Sequence, residues 1–336
     1  IIQLPATQLA TLRPPAARFE QHVRRAAQHR RQRRLVATRG PDLSQRDASH
    51  DQPRSPPADR HAHMPPAEGG GTLAQRRSAA CQGAEHPGNL RAAARAGDVQ
   101  EMRRLVLDDG VDVACASREG YTALHAAAKR DCVASLRVLV CELGAHVDAT
   151  SRDGFSAAHV AARYDAAEAL AVLIEELGAS SDLRSRSGDG PVHVAARYGS
   201  ERALKFLAGR PSHANNNAAN NNGALPLHCA AARDQQACVE CLVSRFSASV
   251  NAQDASGATP LHWASYYGSV ASIRCLGSNG ADADAARTAD GARPLHVAAG
   301  AGRRAALRAL VRELSASVEA RDGRGRTAMH WACRAG

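Results

Sequence analysis

Histidine is the residue whose spacing first raises the question of chemistry in this chain of 336 residues. Seven histidines recur at intervals of 34 or 35 residues, each five residues after a glycine: His125, His159, His193, His228, His262, His296 and His330. Imidazole is a common metal ligand, but the ligands of one metal must converge within a few ångströms. Residues one repeat apart in stacked helices lie about 10 Å apart, the thickness of a helix layer. We therefore expect no metal site here, and the regular interval predicts a repeated structural unit.

Cysteine offers a second candidate chemistry, because Cys238 and Cys241 form a Cys-x-x-Cys pair. A zinc ribbon needs a second such pair, and the sequence has none. Cys241 also occupies an offset that holds Val138 or Val172 in other repeats, which favours a packing role. The nine cysteines, an odd number without disulfide-like spacing, indicate reduced thiols. We expect an intracellular protein, in the cytoplasm, with the nucleus as the alternative.

Catalytic motifs are missing from the sequence. It contains no phosphate-binding loop, nucleophile elbow, His-Glu-x-x-His zinc motif or dinucleotide fingerprint. It also has no run of about 18 apolar residues, the length that a membrane helix needs. The sequence predicts a protein that is not an enzyme, with no cofactor, no metal and no membrane span.

Each histidine ends a short phrase that can open a helix. The fullest version is Thr259-Pro260-Leu261-His262, and the other six vary on it. Thr can cap a helix through its hydroxyl, and Pro suits the first helical position because its missing N–H had no partner there. The connection to a second helix is predicted at a glycine or aspartate: Gly199, Gly268, Gly302, Asp131, Asp165 and Asp234.

The second helix of each repeat carries a regular apolar stripe. In the first full repeat Leu136, Leu139, Val140 and Leu143 stand at i, i+3, i+4 and i+7. One such face cannot be hidden inside a two-helix unit, so neighbouring units must stack to cover it.

These phrases and their period resemble the ankyrin repeat family, whose unit of about 33 residues has a Thr-Pro-Leu-His opening, a β-turn and two helices. The resemblance covers about residues 84–336 and implies an all-α ankyrin-repeat solenoid. It also implies that the histidines are structural, with imidazoles that bridge adjacent turns by hydrogen bonds. We expect a degenerate capping repeat, six full repeats and a truncated last repeat, with these bounds: 84–117; 118–151, 152–185, 186–220, 221–254, 255–288 and 289–322; 323–336.

The first 88 residues differ in composition from the rest of the chain. They hold 14 Arg, no Lys, 7 acidic residues and 10 of the 15 prolines, whereas residues 89–336 have a net charge of only +3. This predicts a disordered basic tail over 1–88 before the folded array. A targeting signal or nucleic-acid contact through the tail is the alternative, and otherwise nucleic acid is an unlikely partner. Because the chain starts at Ile1 and stops within a repeat at Gly336, we expect a longer natural product.

The tract of asparagines over 215–222 interrupts the pattern, since it replaces the usual ending of a second helix. Asparagine prefers turns, so a mobile loop and a hinge in the stack are expected there.

The candidate binding residues follow from the resemblance, because ankyrin repeats contact partners on their concave side, through the β-turns and the end of the first helix. These slots hold Tyr121, Lys129, Arg130, Phe155, Arg163, Tyr164, Arg197, Tyr198, Arg233, Tyr266 and Tyr267. All five tyrosines of the chain fall in them. Tyrosine and arginine are frequent anchors of protein interfaces. The alternative is that each tyrosine merely packs on the next repeat.

Two classes of function remain open. The leading hypothesis is a monomeric scaffold or adaptor whose concave strip binds an acidic or extended segment of another protein. The alternative is a regulatory or targeting array of a larger enzyme or channel, because the fold alone cannot choose between them.

Overall fold

The computed structural model describes residues 86–209 and 218–335, and these residues form a series of helix pairs. The first helices of the pairs are α1 (His86–Ala96), α3 (Ala123–Ala128), α5 (Ala157–Arg163), α7 (Pro191–Tyr198), α9 (Pro226–Ala232), α11 (Pro260–Tyr267), α13 (Pro294–Gly300) and α15 (Ala328–Ala335). The second helices are α2 (Val99–Arg103), α4 (Val133–Arg137), α6 (Ala167–Ala171), α8 (Glu201–Ala208), α10 (Gln236–Phe246), α12 (Val270–Ser278) and α14 (Arg304–Arg312). The described residues contain no strand, which confirms the all-α prediction.

The second helices of the early pairs end in a wider coil that the sequence pattern does not predict. A π-helical turn follows α2, α4 and α6 directly, over Arg104–Asp108, Val138–Glu142 and Val172–Glu176. The apolar stripe is the same as in the later repeats, so the packed face is kept. In the π-helical turn each backbone hydrogen bond spans five residues instead of four.

The connection between the two helices of a pair needs a left-handed residue. Asp131, Asp165 and Asp234 have φ of 59°, 57° and 57°, as the predicted turns require. Aspartate tolerates this conformation better than most residues. Its carboxylate also bonds forward, since Asp165 Oδ1 accepts the N–H of Ala203, 2.9 Å away in the second helix of the next pair. The turn residue therefore joins neighbouring repeats as well as reversing the chain.

The core is a continuous layer of alanine and leucine between successive pairs. First helices pack on first helices and second helices on second helices along the array. Leucines of the second-helix stripe, such as Leu139, Leu173 and Leu204, are fully buried. Each repeat thus hides the apolar face of its neighbour, as the stacking argument predicts.

The turns before the first helices are joined by one backbone hydrogen bond per pair of neighbours. The N–H of Arg186 donates to the carbonyl of Asp153 at 2.8 Å, and that of Gly323 to Asp290 at 3.0 Å. Gly257 shows why glycine stands five residues before each histidine. Its φ is +79°, and a Cβ there would overlap the backbone N and the hydroxyl of Thr288 in the next turn.

The predicted unit bounds place one helix pair in each full repeat, and they stay predictions. The predicted tail over 1–88 lies outside the described residues except at its end, where α1 already begins at His86. Residues 215–217 of the asparagine tract also lie outside the described residues. The end of the tract does not fit a mobile loop. Nδ2 of Asn220 donates a hydrogen bond to Oδ1 of Asp189 at 2.7 Å, and the N–H of Asn221 donates to the carbonyl oxygen of Ser187 at 3.1 Å.

Candidate functional site

Six of the seven repeated histidines, all but the exposed His330, are buried and bridge neighbouring repeats. In His262 the Nδ1 atom lies 3.1 Å from the backbone N of Thr259 and 2.9 Å from its hydroxyl, both of which donate. The Nε2 atom lies 3.0 Å from the carbonyl oxygen of Ala292 in the next repeat, so Nε2–H donates. This pattern assigns a neutral ring with its proton on Nε2, because Nδ1 must accept.

The same forward bond recurs along the array. The Nε2 atoms of His125, His159, His193, His228, His262 and His296 lie 2.9–3.2 Å from carbonyl oxygens of the following repeat. Burial lowers the pKa of His159, His193 and His262 to about 4, and it lowers the pKa of His125 and His228 as well. The structural role that the resemblance implies is confirmed.

The described residues contain no group of three or more His, Cys, Asp or Glu side chains that could hold a metal ion. The cysteine pair is packed as expected, because Cys238 and Cys241 are only 1% and 5% exposed. Burial raises the pKa of Cys238 to about 12, which keeps it a protonated and unreactive thiol near neutral pH.

The C-terminal ends of the first helices carry a row of cationic and aromatic side chains, which we call the Tyr-Arg strip. It comprises the cationic and aromatic residues four and five positions after the first five of these histidines: Lys129, Arg130, Arg163, Tyr164, Arg197, Tyr198, Arg233, Tyr266 and Tyr267. Tyr164, Tyr198 and Tyr267 are 45%, 48% and 50% exposed, so half of each ring faces solvent. The alternative that these three tyrosines are packing residues therefore accounts for only part of their surface.

Four side chains of the Tyr-Arg strip contact one another across three repeats. The ammonium of Lys129 lies 4.7 Å from the ring centroid of Tyr164. The guanidinium carbon of Arg163 lies 5.6 Å from the same centroid and 4.4 Å from the centroid of Tyr198. These cation–π contacts hold the four side chains as a ladder in which cations and rings alternate.

Tyr266 and Tyr267 form a separate pair farther along the array. Their rings meet edge to face with centroids 5.1 Å apart. The carbonyl oxygen of Tyr266 accepts a hydrogen bond of 2.9 Å from Nε of Arg303 in the next repeat. The pair is thus attached to its neighbour, and the ring of Tyr267 remains half exposed.

The two predicted aromatic residues of the β-turns lie apart from the strip. The ring of Tyr121 meets His125 edge to face at 5.3 Å, and that of Phe155 meets His159 at 5.6 Å. Both are only partly exposed. Each covers the histidine that bridges its repeat to the next, so the structure gives them a packing contact.

Arg197 also differs from its equivalents, because an ion pair turns it away from the ladder. Its Nη2 atom lies 2.9 Å from Oδ2 of Asp189, whose side chain is 1% exposed. Burial opposes ionisation of Asp189, but Arg197 and the amide of Asn220 hold its pKa below the ordinary value. The sequence analysis missed this aspartate, although the register gives a signal. Asp189 stands where the preceding repeats carry Tyr121 and Phe155.

The cations left over give the strip its charge. No ion pair joins Lys129, Arg130, Arg163 or Arg233 to an acidic residue in the part of the chain that the structure describes. The strip therefore presents cations without ion pairs to described acids beside half-exposed phenol rings, a combination suited to binding.

The comparisons with known proteins agree with this geometry. The family model described as ankyrin repeats (3 copies) matches residues 90–187, 192–287 and 273–336. A similar solved structure is the crystal structure of human ASB11 ankyrin repeat domain, with 26% sequence identity, a TM-score of 0.56, and coverage of 66% of this chain and 96% of that chain. Curated proteins give no significant match. Among the described residues, no helix combines the length and apolarity of a membrane span. With matches over most of its length and the bridging histidines in place, the chain belongs to the ankyrin repeat family.

Proposed function

We propose that this protein binds a partner protein through the Tyr-Arg strip, on the concave side of the ankyrin array, and acts as a scaffold or adaptor. Ankyrin repeats are in general protein–protein interaction modules. The observation that carries the proposal is the ladder of Lys129, Tyr164, Arg163 and Tyr198, whose rings are half exposed and whose cations have no ion pair with an acid among the described residues. Rigid aromatic rings flanked by arginine resemble the anchors that dominate binding energy at interfaces.

The ladder is also pre-ordered. Because the cations already rest on the rings, the side chains lose little rotamer freedom when a partner arrives. The cost of ordering long side chains, about 0.5–1.5 kcal/mol each at an interface, is reduced in advance.

A position-specific cross-linking experiment tests the proposal. A photoreactive phenylalanine analogue replaces Tyr198 in one variant and Val311, an exposed residue of a second helix, in a matched control. We expect a protein adduct from position 198 and none from position 311. Equal adducts from both positions would contradict binding through the strip.

A second experiment separates binding from folding. Changing Tyr164 and Tyr198 together to Ala should abolish the partner contact while the far-UV circular dichroism and the melting temperature change little, because both rings are half exposed. Loss of folding in parallel with loss of binding would favour a packing role for these rings.

A further inference from the structure

The Tyr-Arg strip also carries information about the chemistry of its partner. The guanidinium of Arg163 and the ammonium of Lys129 make no ion pair with a described acid, and the hydroxyls of Tyr164 and Tyr198 make no hydrogen bond within the described chain. All these groups can donate hydrogen bonds. The ladder therefore offers hydrogen-bond donors and positive charge, and no described carboxylate of the chain pairs with them.

The neighbouring turns reinforce this charge. The exposed residues of the turns that precede the first helices include Arg118, Arg152 and Arg186, against the acidic side chains of Glu119 and Asp153. Three further acids, Asp131, Asp165 and Asp234, directly follow strip residues in the sequence. Together with Lys129, Arg130, Arg163 and Arg233, the exposed cations exceed the acids on this side. The summed field attracts an anionic partner and speeds its approach.

The ring faces distinguish between anionic partners. Tyr164 already has two cations over its ring, and Tyr198 has one. Single-stranded nucleic acid gains much of its affinity by stacking bases on free aromatic faces, and these cations reduce the ring area that Tyr164 and Tyr198 offer for stacking. The edge of the Arg163 guanidinium and the phenol hydroxyls remain available, and this planar fork matches a carboxylate in two parallel hydrogen bonds.

The spacing of the cations fits an extended peptide. Lys129 and Arg163 both contact the ring of Tyr164, at 4.7 and 5.6 Å, so their charges are at most about 10 Å apart. An extended chain places alternate side chains on one face at intervals of about 7 Å. A Glu side chain can cover the remaining distance, so carboxylates on alternate residues can meet both cations.

From these observations, and resting on the proposed function, we infer that the strip recognises an extended acidic segment of a partner protein with carboxylates on alternate residues. Arg163 is the central contact, because its guanidinium contacts both Tyr164 and Tyr198 and donates no hydrogen bond to a described residue. Lys129 takes the adjacent carboxylate, and the phenol hydroxyls add neutral hydrogen bonds.

Fluorescence anisotropy on the full chain tests this inference with a labelled peptide of alternating Glu and Ala. Arg163→Gln should weaken binding about fivefold and Lys129→Gln about twofold, the range for exposed charge pairs. Arg245→Gln is the matched control, since Arg245 is an exposed cation of a second helix and forms no ion pair with a residue in the described ranges. The basic first 88 residues are present in every variant, so the difference between the variants isolates the strip.

Three further measurements complete the design. The same peptide with Gln in place of Glu should bind far more weakly. Added salt should lower the affinity for the Glu peptide, because salt screens exposed charges over distances beyond about 8 Å. Arg163→Lys should recover part of the affinity. Circular dichroism should show that each variant keeps its helicity.

The outcomes separate this inference from the proposed function. Equal binding of the Glu peptide by the Arg163→Gln and Arg245→Gln variants would overturn the inference. If cross-linking from position 198 still traps a protein in that case, the proposed function stands with a partner of another chemistry. If oligodeoxythymidine binds more tightly than the peptide and depends on Arg163, both the acidic partner and the protein-binding function are wrong.

Discussion

Acidification should destabilise this array well above the pH at which its carboxylates are protonated. Burial lowers the pKa of His159, His193 and His262 to about 4, whereas an unfolded histidine titrates near 6.5. The unfolded state therefore binds more protons between these values. The contribution of these rings to stability is complete above pH 6.5 and is lost as the pH falls towards 4.

The magnitude follows from the size of the shift. Between pH 7 and pH 5 each of the three histidines should lower the free energy of unfolding by about 2 kcal/mol. Because they lie in different repeats their effects should nearly add, to the order of 5 kcal/mol. Carboxylates contribute little in this window, since the pKa values of Asp189, Asp254 and Asp290 are lowered and these groups stay ionised.

The assay is urea unfolding followed by far-UV circular dichroism at pH 7 and pH 5. The wild type should show a much lower midpoint at pH 5. His262→Gln should be less stable at both pH values and should lose about a third of the pH dependence, because one of the three strongly shifted rings is gone. His146→Gln, at an exposed histidine, is the control and should keep the full dependence. Identical midpoints at the two pH values would refute the assignment of neutral bridging rings.

Three other outcomes test the local geometry. Gly257→Ala should destabilise by about 1–3 kcal/mol in urea unfolding, because it combines a positive φ with a clash, whereas Gly302→Ala meets no atom within 4 Å and should cost less. A larger loss at Gly302 would contradict the turn packing. Asp165→Ala should cost about 1–2 kcal/mol by removing a helix cap, and Asp165→Gly should cost less because glycine adopts the left-handed backbone without strain; the reverse order in thermal melts would contradict the left-handed turn at this position. In thiol titration with Ellman's reagent the exposed Cys141 should react at once and the buried Cys238 only after denaturation, and rapid reaction of Cys238 would exclude its packing in the core.

The fold could be predicted from the sequence because its signals are local and repeated. The interval between histidines, the apolar stripe and the Asp or Gly turns each depend on a few neighbouring residues. The structure reproduces them at Asp131 and Gly199 alike. The π-helical endings could not be predicted, because the apolar stripe that includes Leu139 and Val140 is compatible with both an α-helix and a π-helix.

The candidate site was only partly predictable, because side-chain direction depends on neighbours in other repeats. Tyr198 is half exposed beside Arg163, whereas Tyr121 lies against a histidine ring. From the sequence, both tyrosines are predicted as binding residues. Arg197 and Arg163 occupy equivalent positions, but of these two arginines only Arg197 forms an ion pair with a described aspartate. That difference depends on the single substitution at Asp189.

The histidines and the turn aspartates form hydrogen bonds with the following repeat. The bond of Asp165 goes to the second helix of that repeat. Among the described residues, a helix pair such as α5 and α6 therefore contacts the array mainly through its two neighbouring pairs, and the predicted repeat 152–185 contains that pair. Exchanging that stretch for another of equal length would replace Arg163 and Tyr164 without disturbing distant rungs. Evolution can accordingly change the binding specificity of this surface one repeat at a time, while the hydrogen bonds between repeats stay the same.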